Sequence, residues 1–466
     1  MKEYKYSVFT NKIENAINKG LLKAGDKLPS IRSVKAEYNL STTSVQSGYD
    51  YLVFKGLVRS IPRYGYIIAA PQQEIMPSTT LNTIVKDAVF SEKVMMTSKR
   101  LEHCESASLN VATPADIFIP QNLILKTMQE VVREKGASLL RYYPNSGSLE
   151  LRELITKRYA LHGAYLQTEE LIITDGALQA LYIALASTTS PGDIIAVESP
   201  CVFSILEVFA NLGLRTIEIP VSYPGGIDIS LLEKVCDDHP IRAIVITPNF
   251  HNPTGLLLSD LQKKQIYDIA VANNIPIIEN DIYGDLYFEG NRPNNIRNYD
   301  TKGLVLTYSS FSKTLAPGLR LGWLAAGQYF AKAERLKFSL GRSVTPINQE
   351  VIVKLLQSTN YDKHLRSFRT KLAQQATLLK ELFTTTFSDS LITSCPKGGY
   401  SLWCELSANT DMGLFYKKCE EVGVYFTHGE TFSFTDRYNT CFRAIFSQQI
   451  TAVNVKAIQK LGKEVK

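Results

Sequence analysis

The chain has little with which to staple or anchor itself. Its seven cysteines, at positions 104, 201, 236, 395, 404, 419 and 441, include no C-x-x-C pair. An odd, unpatterned set argues against a disulfide framework and against zinc, so no metal is expected and a reducing cytoplasm is. No apolar run reaches the length of a membrane span. The start, Met1-Lys2-Glu3-Tyr4-Lys5-Tyr6, lacks the apolar stretch of a signal peptide. Internal repeats and low-complexity tracts are missing as well. The expectation is a cytoplasmic protein with no membrane partner.

What remains is ample. The chain has 466 residues, 45% hydrophobic and 21% charged, ordinary for a soluble globular protein and too long for one core, so two or three domains are expected. The net charge of +6 is localised. Residues 1–70 carry eight Lys and three Arg against five acidic residues, and the remainder sums to zero. A module that meets phosphate has this distribution, although a small solvated domain that is basic by chance would have it too.

Within that basic segment, Phe9, Ile13, Ala16 and Ile17 fall on one helical face, which Gly20 closes. Pro29-Ser30 opens a second helix through about Tyr38, with Ser30 as N-cap. Ser41 caps a third, whose inward face is Val45, Tyr49, Leu52 and Val53 and which Gly56 ends. Two β-rich runs, Leu57–Ile61 and Tyr66–Ala69, flank Pro62-Arg63-Tyr64-Gly65 and predict a hairpin. Three helices and a hairpin make a winged helix-turn-helix over residues 1–70. Residues 71–105 turn polar and read as a linker, with a weakly amphipathic run near Ile84–Val94 that predicts one helix. From about residue 106, apolar runs alternate with helical patterns. Leu171–Thr174, Ile194–Val197, Ala243–Ile246, Ile275–Ile278 and Leu304–Thr307 are short, continuous and rich in Ile and Val. Such runs suit strands buried on both faces of a mostly parallel α/β sheet.

The polar residues of interest follow those strands, where open α/β sheets bind ligands. Gly176 and Ala177 can offer N–H groups to a phosphate at a helix start. Asn252 lies in Asn252-Pro253-Thr254-Gly255, and Asp281 and Tyr283 in Glu279-Asn280-Asp281-Ile282-Tyr283. Lys313, an amine able to form a Schiff base, follows Ser310 and Ser312 and precedes Arg320 by seven residues. One at a time, these read as a turn, a cap and a surface lysine. A pyridine ring used as an electron sink needs a carboxylate on its nitrogen, for which Asp281 is the candidate. Asn252 and Tyr283 suit its phenolate oxygen, and Ser310, Ser312 and Arg320 its phosphate.

Taken together, the order Gly-Ala loop, Asn-Pro-x-Gly, Asp-x-Tyr, then Ser-x-Ser-Lys with a downstream Arg resembles the fold-type I, class I/II aminotransferases. The resemblance covers about residues 106–466. It implies pyridoxal 5'-phosphate on Lys313 and a smaller C-terminal α/β subdomain. It carries Tyr142, in Arg141-Tyr142-Tyr143-Pro144, onto the tyrosine that reaches a partner subunit's phosphate, and Arg443, in Phe442-Arg443-Ala444, onto the arginine that clamps a substrate carboxylate. Two positions depart. Pro200-Cys201-Val202 stands where the family has Pro-x-Tyr, so either Val202 or Phe203 meets the ring. Asp175 stands where a small polar residue is usual, and is a candidate helix cap.

Residues 6–70 resemble the GntR winged helix through Gly25-Asp26-x-Leu28-Pro29-Ser30-x-Arg32, Ser41-Thr42-Thr43 and Tyr49-x-x-Leu52. In that fold the third helix enters the major groove. Ser41, Thr42, Thr43 and Gln46 lie at its outward N-terminal end, the resemblance gives Arg32 to DNA, and Arg63 sits on the wing tip. A GntR head on an aminotransferase body resembles the MocR subfamily of bacterial regulators. The resemblance implies a homodimer that binds an operator in double-stranded DNA. It also implies sensing of pyridoxal phosphate, or of an amino compound, through an aldimine at Lys313. Two alternatives stand beside it: an active aminotransferase of the aminoadipate/kynurenine type, and a DNA-binding protein whose body is a scaffold without cofactor.

Overall fold

A computed structural model describes residues 6–54, 57–61, 65–69, 84–90, 109–387, 390–435 and 437–464. The chain divides into two compact units, Met1–Glu74 and Ile75–Lys466.

In the first unit, helices Ser7–Asn18 (α1), Ile31–Tyr38 (α2) and Thr42–Phe54 (α3) precede an antiparallel pair, Val58–Ile61 (β1) and Gly65–Ile68 (β2). The helix starts follow from local chemistry. Ser33 N donates to Ser30 Oγ at 3.2 Å and Ser44 N to Ser41 Oγ at 3.0 Å, each satisfying an otherwise orphaned amide. Asn39 ends α2 in the left-handed region. Phe9, Leu28, Val34, Val45, Tyr49, Leu52, Val58 and Ile68 form one buried cluster. The rings of Tyr49 and Tyr66 stack at 4.0 Å, pinning the hairpin to α3.

The second unit is built on a nine-stranded sheet. Its strands are Lys86–Asp87 (β3), Leu171–Thr174 (β4), Ile194–Ser199 (β5), Arg215–Ser222 (β6), Gly226–Ile227 (β7), Ile241–Ile246 (β8), Ile277–Asn280 (β9), Val305–Ser310 (β10) and Gly322–Ala325 (β11). Their order is β3-β6-β5-β8-β9-β10-β11-β4, with β7 on β6. The interior run from β6 to β10 is parallel, and β11 runs antiparallel between β10 and β4. Parallel strands are covered on both sides, and here two apolar clusters divide the faces. Ile244, Ile246, Ile277 and Val305 pack into one cluster; Val245, Ile278, Leu306 and Tyr308 pack into the other, beneath helix Ala177–Thr188 (α4). A second sheet, ordered Leu391–Thr393 (β12), Ser401–Leu406 (β13), Cys441–Ile445 (β15) and Thr427–His428 (β14), is antiparallel throughout. It carries Arg443.

The expected helix near Ile84–Val94 is not found where the run is described. Lys86 and Asp87 pair antiparallel with Thr216 and Arg215, adding a short strand to the large sheet. Backbone pairing with a distant strand outweighs a weak amphipathic pattern. Residues 91–94 lie outside the described residues.

Loss of a serine cap costs about 1 kcal/mol. Ser30→Ala is therefore expected to speed amide exchange in α2, read by hydrogen-exchange mass spectrometry on peptides spanning 31–38, with the second unit unchanged.

Candidate functional site

At the carboxyl ends of β8, β9 and β10 lies a cavity of about 270 Å³. It gathers Ala177, Asn252, Tyr283, Ser310, Ser312, Lys313, Arg320 and Arg443 from separate stretches of sequence. Strand ends place most of them: β4, β8, β9 and β10 deliver Ala177, Asn252, Tyr283 and the Ser310–Lys313 loop to the same rim, while Arg320 precedes β11 and Arg443 lies within β15 of the second sheet.

Lys313 is the amine of the site. Its Nζ donates to Ala112 O at 2.6 Å, and its backbone oxygen accepts from the Tyr400 hydroxyl. Burial lowers its ammonium to about 8, with the Arg443 and Arg320 charges adding to the effect. Ser310 organises the loop before it: Ser312 N donates to Ser310 Oγ at 3.1 Å, and Ser310 Oγ donates to Leu321 O at 3.0 Å.

The anion end is built on glycine. Gly176 precedes α4 at φ +88°, and no side chain caps that helix, so its first-turn amides face outward. Asp175 is therefore not the expected cap: its N–H donates to Gln179 Oε1 at 2.8 Å and its carbonyl accepts from Arg320 Nη2 at 2.8 Å. A Cβ on Gly176 would stand 2.8 Å from Arg320 Nη2, and one on Gly322 would stand 2.6 Å from Gly176 C. Only backbone fits there, and the guanidinium lies against it. A phosphorylated ligand fits this cradle of outward amides and Arg320.

Arg443 also lines the cavity. It is 2% exposed, and its Nη1 donates to Asn252 Oδ1 at 2.9 Å. Its Nη2 donates to Asn110 O at 2.7 Å and Thr427 Oγ1 at 3.0 Å. Its Nε has no partner among the described residues. All three acceptors are neutral. Burial brings the guanidinium down to about 10, with Tyr283 partly opposing. Asn252 also donates to Tyr283 Oη at 3.4 Å, so these two expected phenolate-oxygen partners are adjacent. Val202 and Phe203 both line the cavity, and the Phe203 ring lies 5.9 Å from Arg443 Cζ.

Asp281 is not in the cavity. It is bound by the Arg292 guanidinium and the Tyr159 hydroxyl, and Asn249 Nδ2 donates to it at 3.3 Å. Arg292 Nε also holds Asp285 at 2.9 Å, and its Nη1 donates to Asn295 at 2.7 Å. The pleat of β9 explains the placement. Ile277 and Ile278 pack into opposite clusters, so Asn280 follows Ile278 to the cavity side, and the odd-numbered Glu279 and Asp281 turn away. The sequence-based assignment of Asp281 to the ring nitrogen is corrected: Asn280 lines the cavity instead. Alternation from the apolar Ile278 was the available signal. Ala112 O, Asn110 O and Thr427 were missed too; the first two are backbone atoms with no side-chain signature.

Tyr142 does not line the cavity and is 76% exposed, with Arg342 Cζ 5.1 Å from its ring. In the first unit Arg32, Ser41, Thr42 and Thr43 are exposed. Ser41 is engaged as the cap of α3. Gln46 is half-buried and its Nε2 donates to Tyr66 Oη at 2.8 Å, so its amide is tied to the hairpin. Arg63 lies outside the described residues. Among the described residues there is no cluster of metal-ligating side chains, and no helix is long and apolar enough to cross a membrane.

Removing one partner of a buried ion pair costs about 3–5 kcal/mol, because the other charge is left unpaired. Asp281→Ala leaves Arg292 with Asp285 as its remaining ion-pair partner and takes the acceptor from the Tyr159 hydroxyl, so it is expected to lower the denaturation midpoint of the second unit by part of that cost. A midpoint unchanged in chemical denaturation would contradict the structural role.

Residues 112–458 match the family described as aminotransferase class I and II, and residues 5–68 match the bacterial regulatory proteins of the gntR family. The uncharacterised HTH-type transcriptional regulator YjiR of Escherichia coli K12 is 29% identical over 464 residues, covering 99% of this chain and 98% of that protein. The HTH-type transcriptional regulator NorG of Staphylococcus aureus is 27% identical over 411 residues, covering 84% and 89%. Among solved structures, a kynurenine aminotransferase of Pyrococcus horikoshii aligns with a TM-score of 0.76 at 23% identity, over 81% of this chain and 95% of its own. The α-aminoadipate aminotransferase LysN of Thermus thermophilus aligns at 0.74 and 23%, over 81% and 97%. The family implies pyridoxal phosphate, which the glycine cradle, the low-pKa amine and Arg320 fit. The chain belongs to the class I and II aminotransferase family and carries a gntR-family module at its N-terminus, the composition of the MocR-type regulators.

Proposed function

We propose that this protein is a DNA-binding transcription regulator. Its body holds pyridoxal phosphate at Lys313 and responds to that cofactor or to an amino compound that reacts with it. The relatives named as HTH-type regulators, matched along most of their length, support the DNA-reading half. The observation that carries the sensing half is Arg443. A buried guanidinium held only by neutral acceptors is costly and awaits an anion. A planar fork suits a carboxylate. It shares one cavity with the Lys313 amine, so an effector bearing both an amine and a carboxylate satisfies both groups. Pyridoxal phosphate, when bound, supplies an aldehyde that amines can capture. Lys313 supplies the competing amine, Gly176, Ala177, Ser310, Ser312 and Arg320 the phosphate grip, and Asn252 and Tyr283 the phenolate contacts.

The DNA-facing residues in this reading are Arg32, Thr42 and Thr43, with Ser41 at the cap and Arg63 on the wing. Such a regulator works as a homodimer in the cytoplasm, its two heads meeting two half-sites of one operator. The exposed Tyr142 reaches the partner's phosphate. The solved aminotransferases support the fold of the alternative, a turning-over transaminase.

Two experiments test the reading. The first is binding of the full protein to its own upstream DNA at fixed salt, with and without pyridoxal phosphate and a panel of amino acids. Arg443→Gln is expected to raise the amino-acid concentration needed for a response by about tenfold to a hundredfold, the worth of a charge-assisted contact. Arg32→Ala weakens DNA binding without changing cofactor uptake. No DNA binding, or an amino-acid response indifferent to Arg443, refutes the reading.

The second is borohydride trapping of pyridoxal phosphate followed by peptide mapping, with the pyridoxyl mass expected on the peptide containing Lys313. Capture needs the free amine. An amine brought to about 8 is about one-tenth free at pH 7, against about one part in three thousand for an ordinary lysine. Short-time label is thus expected to rise with pH through about 8 and then level. A rise continuing to about 10.5, or label elsewhere, counts against Lys313.

A further inference from the structure

The cavity contains no acidic side chain among its described lining, while three cations, Lys313, Arg320 and Arg443, face it. The nearby carboxylates are committed elsewhere. Asp281 is bound by Arg292 and Tyr159. Glu279 accepts from Ile296 N at 2.5 Å and from Thr307 Oγ1 at 3.0 Å, on the far side of β9. Glu198 accepts from Thr247 N at 2.8 Å. The residue that β9 delivers to the cavity is Asn280, 4% exposed. Its orientation is set by its neighbour: Ile282 N donates to Asn280 Oδ1 at 3.1 Å. With the oxygen turned to the backbone N–H, the amide nitrogen is the end that has no protein partner among the described residues. That nitrogen can only donate.

A ring nitrogen that carries a proton is itself a donor. It is stabilised by a carboxylate and disfavoured by an amide N–H pointing at it. From this we infer that Asn280 meets the pyridine nitrogen of the bound cofactor as a hydrogen-bond donor and holds it unprotonated. The inference rests on the reading above that this cavity holds pyridoxal phosphate. An unprotonated ring is a poor sink for an electron pair. The site is therefore built to take up and release amines at Lys313 without breaking the bond between the effector's Cα and its hydrogen. Asn280 is thus a specificity device, separating recognition of an amino acid from its consumption.

The test uses the full protein loaded with pyridoxal phosphate labelled with ¹⁵N in the ring. The wild-type resonance is expected at the position of a neutral pyridine, and Asn280→Asp is expected to move it to the pyridinium position at the same pH. In parallel, release of 2-oxo acid from the amino-acid panel is followed for both proteins, and Asn280→Asp is expected to exceed wild type by about tenfold or more. A pyridinium resonance in the wild-type protein overturns the inference, as does wild-type 2-oxo-acid release equal to that of Asn280→Asp. The wild-type spectrum decides the matter even if the variant does not fold. Failure to load the cofactor removes the proposed function and this inference together, whereas loading with a protonated ring removes this inference alone.

Discussion

The pleat at the end of β9 is the constraint on which the chemistry of this body depends. Side chains alternate across a strand, so a strand buried on both faces must commit each residue to one layer or the other. Ile277 and Ile278 commit first, to opposite apolar clusters. The residues that follow have no further choice. Asn280 inherits the side of Ile278 and faces the cavity, while Asp281 inherits the side of Glu279 and must find a cation there. Arg292 is that cation. A shift of one residue along β9 would exchange the two, bringing a carboxylate into the cavity and an amide against Arg292. It would also turn Ile277 and Ile278 out of their clusters, which the parallel pairing of β9 with β8 and β10 forbids.

The same body shows how charge is left for a ligand. Buried ions are ordinarily paired, and Arg292 follows that rule with Asp281 and Asp285. Arg443 does not. Its backbone and amide acceptors hold the guanidinium in place without neutralising it. Burial, with the Arg443 and Arg320 charges adding to it, pushes the Lys313 ammonium towards the free base. The ion-unpaired arginine thus does two things: it creates demand for a carboxylate in the cavity and it adds to the burial that enlarges the free-base share of the amine.

Much of this was legible in the sequence, for reasons that differ by element. The helices of the first unit announce themselves because Ser30 and Ser41 cap them and Val45, Tyr49 and Leu52 repeat at helical spacing. Five strands of the large sheet, β4, β5, β8, β9 and β10, are visible because apolar runs rich in Ile and Val, buried on both faces, mark them. The Lys313 loop is visible because an amine, two hydroxyls and a guanidinium at fixed spacing carry chemistry in their side chains. Other features were hidden. The strand Lys86–Asp87 is polar and is made by a backbone partner more than a hundred residues away. Gln46 looked free for DNA because nothing local tells that Tyr66 will claim its amide.

Asp281 was misread for a more instructive reason. A carboxylate two residues before a tyrosine looks like a ring-nitrogen partner when residue types are matched without their facing. Facing depends on the register of the whole strand, which the apolar residues before it reveal. Counting from Ile278 by twos arrives at Asn280. The distinction has functional weight, because the two side chains are nearly the same size and differ in what they offer. A carboxylate accepts and favours a proton on its partner; an amide whose oxygen is turned to Ile282 N presents its nitrogen, which can only donate. A catalytic body and a sensing body can then share every other contact with the cofactor and differ at one atom of one side chain.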